Sequence, residues 1–410
     1  KRSCNRQGRS CSDDERCAYQ VSSIAFANAA NLVTNVSELG DGILGLISKA
    51  TVVVEDGLIS QITQGIPSGV DSVIDCTGKT LLPGFVDSHS HLIFSGDRAQ
   101  EFSARSRGEK YTAGGIAATV AATRAASNSD LSLNAKNLLN EAVLSGTTTM
   151  EIKSGYGLTE KDELRSLEIA SQFSDETTLL AAHVIPEEFK PDPDSYVDLI
   201  IKSIIPKSSA KWIDVFCDQG AFTPDQAEAI LRAGMTQGLL PRIHANQLTA
   251  GKGVEIAVAL DAASADHLSR STSADIELLS ASNTVATLLP GAEFSTHLEN
   301  DLGRKFLDAG ATVAIASDCN PGSSYTTSMP FCIAAAVSLL GFTVEEAVHA
   351  ATLGGAKALR RNDIGRIDVG MKADLVLLDT PSYIHLAYRP GVNIVHSTYK
   401  SGRAVTTWQK

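Results

Sequence analysis

Between residues 81 and 359 the chain repeats one pattern eight times: a short apolar, β-prone run, then a longer segment with helical texture. The runs are 81–86, 147–151, 179–183, 212–216, 240–244, 263–267, 284–289 and 312–317. Helix-start chemistry lies between them. Thr223 with Gln226, and Thr343 with Glu346, have capping-box spacing, and Pro224 stands at a first helical position. Strands that alternate with helices predict parallel pairing, and eight such units in series predict an α/β fold closed into a (β/α)8 TIM-like barrel. In that architecture catalytic groups sit at the C-terminal ends of the strands, which is where functional residues are sought.

The flanks have a different texture. Short strands are expected at 24–26, 45–47, 51–54, 58–62 and 72–75, with Glu55-Asp56-Gly57 as a hairpin turn, and again at 374–378, 392–395 and 399–407. Neither end has enough strands for a sheet core of its own, so the two are expected to pair into one smaller composite β-sandwich domain. The organisation read from the sequence is a polar leader over 1–21, the N-terminal part of the sandwich over 22–80, the barrel over 81–362, and the rest of the sandwich over 363–410.

Charge and cysteine usage narrow the class further. A formal charge of -12 argues against nucleic acid and anionic membrane as partners, and no apolar run reaches the eighteen residues of a spanning helix. The first twenty residues are polar, without the apolar core of a secretory signal, so cytoplasmic residence is the expectation. Cys4, Cys11 and Cys17 lack the paired Cys-x-x-Cys of a metal site and read as part of a disordered or non-native leader. Cys76, Cys217, Cys319 and Cys332 sit in apolar contexts typical of buried, reduced thiols. Asn35-Val36-Ser37 fits a glycosylation sequon but is read as inert.

Polar residues gather where the barrel needs them. Five of the nine histidines fall at strand ends: His89 and His91 after the first run, His183 after the third, His244 after the fifth and His267 after the sixth; Asp318 follows the eighth. Residues two apart on a strand point the same way, so His89 and His91 can share one ion. With His244 and Asp318 they make a three-nitrogen, one-oxygen shell for Zn2+ or Fe2+ that leaves a position open for water. Such a metal lowers the pKa of water toward neutrality, which suits hydrolysis of a carbonyl compound. His267 is placed to orient or deprotonate that water, and Asp318 to bind metal and pass a proton to a leaving nitrogen. The other histidines, His297, His349, His385 and His396, are read as surface or structural.

Longer motifs surround these residues: Asp87-Ser88-His89-Ser90-His91-Leu92 with Gly96-Asp97-Arg98-Ala99, Glu151-Ile152-Lys153-Ser154-Gly155-Tyr156-Gly157-Leu158, His244-Ala245-Asn246-Gln247-Leu248, Ser264-Ala265-Asp266-His267, Ala286-Thr287-Leu288-Leu289-Pro290-Gly291-Ala292, and Ser317-Asp318-Cys319-Asn320-Pro321-Gly322. Through them the chain resembles the imidazolonepropionase family of the amidohydrolase superfamily. The first motif is shared across the superfamily, whereas Lys-Ser-Gly-Tyr-Gly-Leu and Asp-Cys-Asn-Pro-Gly are diagnostic of the one family. The resemblance implies hydrolytic ring opening of 4-imidazolone-5-propanoate to N-formimidoyl-L-glutamate in histidine breakdown. It implies metal ligands at His89, His91, His244 and Asp318, with one divalent metal per chain, zinc or iron (Fe2+/Fe3+). It implies contacts to a small anionic substrate from Arg98, Tyr156, His183, Gln247, Asn320, Gly322 and Ser323, and a homodimer. The chemistry is consistent with this. A propionate tail suits a bidentate guanidinium such as Arg98, Gly322 permits close backbone approach, and Asn320 and Ser323 add neutral donors.

Two departures from the family pattern stand out. Ser90 replaces a commoner threonine on a side chain expected to point away from the metal. Asn246-Gln247 stands where many relatives carry an acid at one of the two positions, so a carboxylate proton shuttle there does not apply; Gln247 is assigned to hydrogen bonding of the substrate ring, and the proton work to His267 and Asp318. The rival readings are a ring deaminase, which needs a glutamate at 247, and a binuclear cyclic amidase, which needs a bridging lysine that residues 212–216 lack. A catalytically silent scaffold is the third, but it would have lost metal ligands and none is missing.

Overall fold

The computed structural model describes residues 23–108, 115–298 and 301–410, so the expected leader with Cys4, Cys11 and Cys17 lies outside the described residues. Eight strand positions form the barrel: Phe85–Asp87, Thr147–Met150 continued by Ile152–Lys153, Thr177–Ala182, Trp212–Cys217, Leu240–Pro241 with Ile243–Ala245, Ser264–His267, Val285–Leu288 and Val313–Ile315. Every neighbouring pair is parallel, in registers such as Val86 opposite Thr149, Phe216 opposite His244, His244 opposite Asp266, and Thr287 opposite Ala314. The ring closes beyond the last strand. Asp318 N–H donates to His89 O at 3.0 Å and His91 N–H to Cys319 O at 2.9 Å, so the first and eighth strand ends are laced together beside His89, His91 and Asp318.

Apart from Leu240, which is partly exposed, these strands are buried along their length, as parallel strands covered by helices must be. The capping boxes at Thr223 and Thr343 form as expected, each threonine hydroxyl accepting from the backbone of the third helical residue. Thr272 with Asp275 makes another that the sequence reading did not single out, because aspartate is the shorter partner.

The apolar run at 81–86 divides between two sheets. Thr80–Pro83 pairs antiparallel with Leu375–Leu378 and parallel with Ser23–Val33, while Phe85–Asp87 enters the barrel. Gly84 makes the crossing possible: its N–H donates to Asp374 O at 2.8 Å, and a Cβ there would overlap the Thr148 side chain. Apolarity alone could not mark the break, since both halves are fully buried.

The two chain ends do share one sheet of eight strands, joined through Thr80–Pro83. The sheet folds back on itself: Phe26 meets Tyr399 edge-on at 4.7 Å, Gly402 lies against Val54, and Ala373 N–H bonds Gly57 O at 2.9 Å. The core between its halves includes Phe26, Leu32, Val52, Leu81, Leu375 and Leu377. Asp56 and Gly57 both take left-handed φ, +52° and +81°, as a two-residue hairpin turn requires. The expected strands at 45–47 and 51–54 run on as one, Leu46–Glu55. Cys76, Cys217, Cys319 and Cys332 are buried and free. Asn35 is buried and donates to Thr352 Oγ1 and Gly365 O, which hides the sequon. Among the described residues no helix is long and apolar enough to cross a membrane.

Candidate active site and metal centre

At the C-terminal mouth of the barrel three imidazoles aim at one point. His89 Nε2 lies 3.2 Å from His91 Nε2, and His91 Nε2 lies 3.4 Å from His244 Nε2. Asp318 Oδ1 is 3.6 Å from His89 Nε2 and 3.4 Å from His91 Nε2. The opposite nitrogens of two rings are already committed: His89 Nδ1 sits 2.7 Å from Asp266 Oδ2, and His244 Nδ1 sits 3.0 Å from Asp214 Oδ1. A proton on each Nδ1 leaves Nε2 as a bare lone pair. Bare lone pairs at such distances repel one another, and a cation between them converts the repulsion into ligation.

Charge leads to the same conclusion. Glu151, Asp214, Asp266 and Asp318, with Asp87 beside them, are all fully or almost fully buried in this layer around the cations Lys153 and Arg242, so carboxylates outnumber cations. A divalent ion offsets the surplus of negative charge, which a buried site could not otherwise hold cheaply. Burial, with Lys153 or His244 adding to it, pushes the His89 and His91 imidazoles well below their ordinary range, so both are neutral ligands. The donor set therefore fits one divalent metal.

Beside the cluster, burial pushes His267 down to about 3, against the pull of Asp318. Burial raises the Asp318 carboxyl, with His267 and His244 opposing it. Both residues hold left-handed backbone, φ +75° at His267 and +51° at Asp318, a conformation that persists only when the surroundings impose it and one that gathers at functional sites.

A small inner cavity of about 20 Å3, room for one water, brings the expected residues together. Arg98, Tyr156, His183, Gln247, Asn320 and Ser323 line it with His91, His244, His267 and Asp318. It adjoins an outer cavity of about 1240 Å3 that shares Gln247 and His267. His183 stacks on His91 at 5.3 Å, with Nδ1 on Gly155 O at 2.9 Å. The amide of Asn320 is engaged within its own loop: Nδ2 donates to Asp318 O and Ser323 Oγ, and Oδ1 accepts from Gly322 N and Ser323 N. Ser323 Oγ in turn bonds Asp318 Oδ2 at 3.2 Å, so this loop steadies the aspartate. Gly322 backs onto the Arg98 guanidinium, and a Cβ there would overlap it.

Other residues of the site escaped the sequence reading. Asp214, Asp266, Lys153 and Arg242 stand behind the histidines. Glu163 accepts from the backbone N–H groups of Gly155, Gly157 and Leu158 and so fixes the loop of Tyr156. Asp218 does the same for Leu248 and Thr249, next to Gln247. The available signal was a charged residue inside an otherwise apolar strand, as at Asp214 and Asp266.

Fold and site together define the class: a metal-dependent hydrolase built on a (β/α)8 barrel. Comparison with known proteins agrees. The amidohydrolase family matches residues 80–405. The imidazolonepropionase of Streptomyces griseus subsp. griseus is 56% identical over 389 residues, 94% of this chain and 100% of that one. That of Mycolicibacterium smegmatis is 53% identical over 393 residues, 95% of this chain and 98% of its own. Among solved structures, a triazine hydrolase variant superposes with a TM-score of 0.72 at 16% identity, covering 94% of this chain and 95% of that one. Guanine deaminase from C. acetobutylicum gives 0.67 at 14% identity, covering 94% and 100%. The chain belongs to the amidohydrolase family and, within it, to the imidazolonepropionases.

Proposed function

We propose that the cluster where the inner cavity meets the outer one opens the ring of 4-imidazolone-5-propanoate with water, giving N-formimidoyl-L-glutamate. One observation carries this reading: His91, His244 and Asp318, members of a three-imidazole, one-carboxylate cluster, line one cavity with Arg98, a cation suited to the substrate's propionate. Relatives 53–56% identical over nearly their whole length carry the imidazolonepropionase name.

His89, His91, His244 and Asp318 hold the ion. When bound it supplies a Lewis acid that lowers the pKa of water and polarises the ring carbonyl. His267, kept neutral by burial, accepts the water's proton on a ring nitrogen as the oxygen adds to the carbonyl carbon. The hydroxyl on the tetrahedral carbon gives its remaining proton to Asp318, the ring C–N bond at that carbon breaks to leave a carboxylate, Asp318 passes the proton on to the departing nitrogen, and His267 returns its own proton to solvent. Gln247 has no proton to surrender and serves as a hydrogen-bonding partner of the ring. Arg98 pairs with the propionate, and Tyr156 and His183 wall the ring. Asn320, Gly322 and Ser323 act from the loop beneath, aligning Asp318 and making room for Arg98.

The metal is zinc or iron, ions that this ligand set suits alike. A likeness in fold to the atrazine chlorohydrolase from Arthrobacter aurescens, solved with zinc, supports zinc as the first to test. A cytoplasmic homodimer completes the reading, checked by fractionation and light scattering. The deciding experiment is metal analysis with a turnover assay: about one ion per chain and loss of imidazolone absorbance on mixing. Stoichiometric metal without turnover of the imidazolone would sink this substrate and leave the family assignment standing.

A further inference from the structure

Two of the three ligand imidazoles are backed by a buried ion pair and the third is not. Behind His244, Asp214 turns Oδ1 to Nδ1 at 3.0 Å and Oδ2 to Lys153 Nζ at 2.8 Å; Lys153 also bonds Glu151 Oε1 at 2.9 Å. Behind His89, Asp266 Oδ2 meets Nδ1 at 2.7 Å and Arg242 Nη2 at 3.4 Å, and Arg242 Nη2 donates to Ser88 O at 2.7 Å. His91 Nδ1 has no partner among the described residues.

We propose that Lys153 and Arg242 are positioning residues for the metal centre, acting through Asp214 and Asp266 to keep the Nε2 lone pairs of His244 and His89 turned to the ion. The inference rests on the ligand set proposed above. Lysine and arginine side chains carry donors and no acceptor, so a carboxylate they hold offers the histidine an acceptor. The imidazole then keeps its proton on Nδ1, and Nε2 stays bare. Without the relay, a neutral imidazole can place its proton on Nε2 and present an N–H to a cation, or swing away from it.

The placement is rigid because each relay crosses the barrel. Lys153 closes the extension of the second strand, Asp214 lies on the fourth and His244 on the fifth, so one side chain cannot shift without disturbing three strands. Arg242 and Asp266 tie the fifth and sixth strands to His89, beyond the first. All four relay residues are fully buried, so solvent does not screen them.

The test is the Zn2+ dissociation constant of the full-length protein, set by dialysis against graded Zn2+–chelator buffers. Outer partners of metal-bound histidines typically contribute about 10- to 100-fold in affinity. Lys153→Met and Asp214→Asn are each expected to weaken Zn2+ binding by that factor, with KM unchanged at saturating Zn2+, and Lys153→Arg to recover most of the loss. Glu176→Gln is the control. It breaks a partly buried ion cluster with Lys211 and Arg361 at the other end of the barrel, so it should lower Tm and leave the Zn2+ Kd alone. A folded Asp214→Asn protein with wild-type Kd overturns the proposal. Should Lys153→Met not fold, Asp214→Asn and, through the second relay, Asp266→Asn decide it. His244→Ala separates the two levels: wild-type Zn2+ binding there sinks the ligand set, whereas lost binding there with an unaffected Asp214→Asn sinks the relay alone.

Discussion

Arg98 and Glu101 form a two-point ion pair, Nε to Oε2 at 2.8 Å and Nη2 to Oε1 at 2.7 Å, at the start of helix Ala99–Ser106. Arg105 joins the same carboxylate at 3.1 Å and also donates to Gly322 O. Two guanidiniums therefore share the Glu101 carboxylate. Gly115 and Gly322 crowd the Arg98 guanidinium so closely that a Cβ at either would overlap it. A cation fixed this firmly loses little freedom when an anion arrives.

Arg98→Ala is accordingly expected to act on binding. A hydrogen bond to a charged partner contributes about 1.5–3 kcal/mol, so KM for the imidazolone should rise roughly 10- to 100-fold with a smaller change in kcat. Steady-state kinetics check this, and an unchanged KM removes Arg98 from the carboxylate role.

Gly322→Ala tests the crowding itself. Its backbone is outside the left-handed region, so alanine is tolerated locally and the added methyl acts on Arg98 alone. Overpacking of this kind costs about 1–3 kcal/mol. The variant should mimic part of the Arg98→Ala rise in KM at near-normal Tm; normal kinetics would mean that Arg98 has room to move.

Loss of the ion should be equivalent to loss of a ligand. Exhaustive chelation and Asp318→Ala are each expected to abolish turnover, but only the chelated enzyme recovers when Zn2+ or Fe2+ is returned. Retained turnover by Asp318→Ala would place the metal and the proton transfer elsewhere.

His349 makes one pH dependence specific. Burial pushes its imidazole down to about 4, with Lys357 adding to the effect. The unfolded chain already binds this proton below an ordinary value of 6.5, so stability is lost as pH falls from 6.5 toward 4. His349→Gln should flatten that part of the Tm-against-pH curve. A curve parallel to wild type would assign the acid lability to other groups.

Much of the site was legible because strand-end chemistry is local. A run that stops at a histidine declares both the strand and the residue presented at its end, which is how His89, His91, His183, His244, His267 and Asp318 could be found. Arg98 was found as a cation but not as one paired with Glu101, a residue the sequence reading did not single out. Asn320 and Gly322 are expected to meet substrate; in the structure Asn320 lines the inner cavity while its amide bonds within its own loop, and Gly322 lies against the Arg98 guanidinium.

The sequence by itself determined the barrel, the pairing of the two chain ends and the histidines that gather at the strand ends, because apolar periodicity and the residue following each run are properties of short segments. Tertiary structure alone decided the break at Gly84 and the relays behind the metal cluster. Asp214 lies 61 residues from Lys153, and Asp266 lies 177 from His89. Their meeting depends on the stagger between strands around a closed barrel, which exists only once the last strand has found the first.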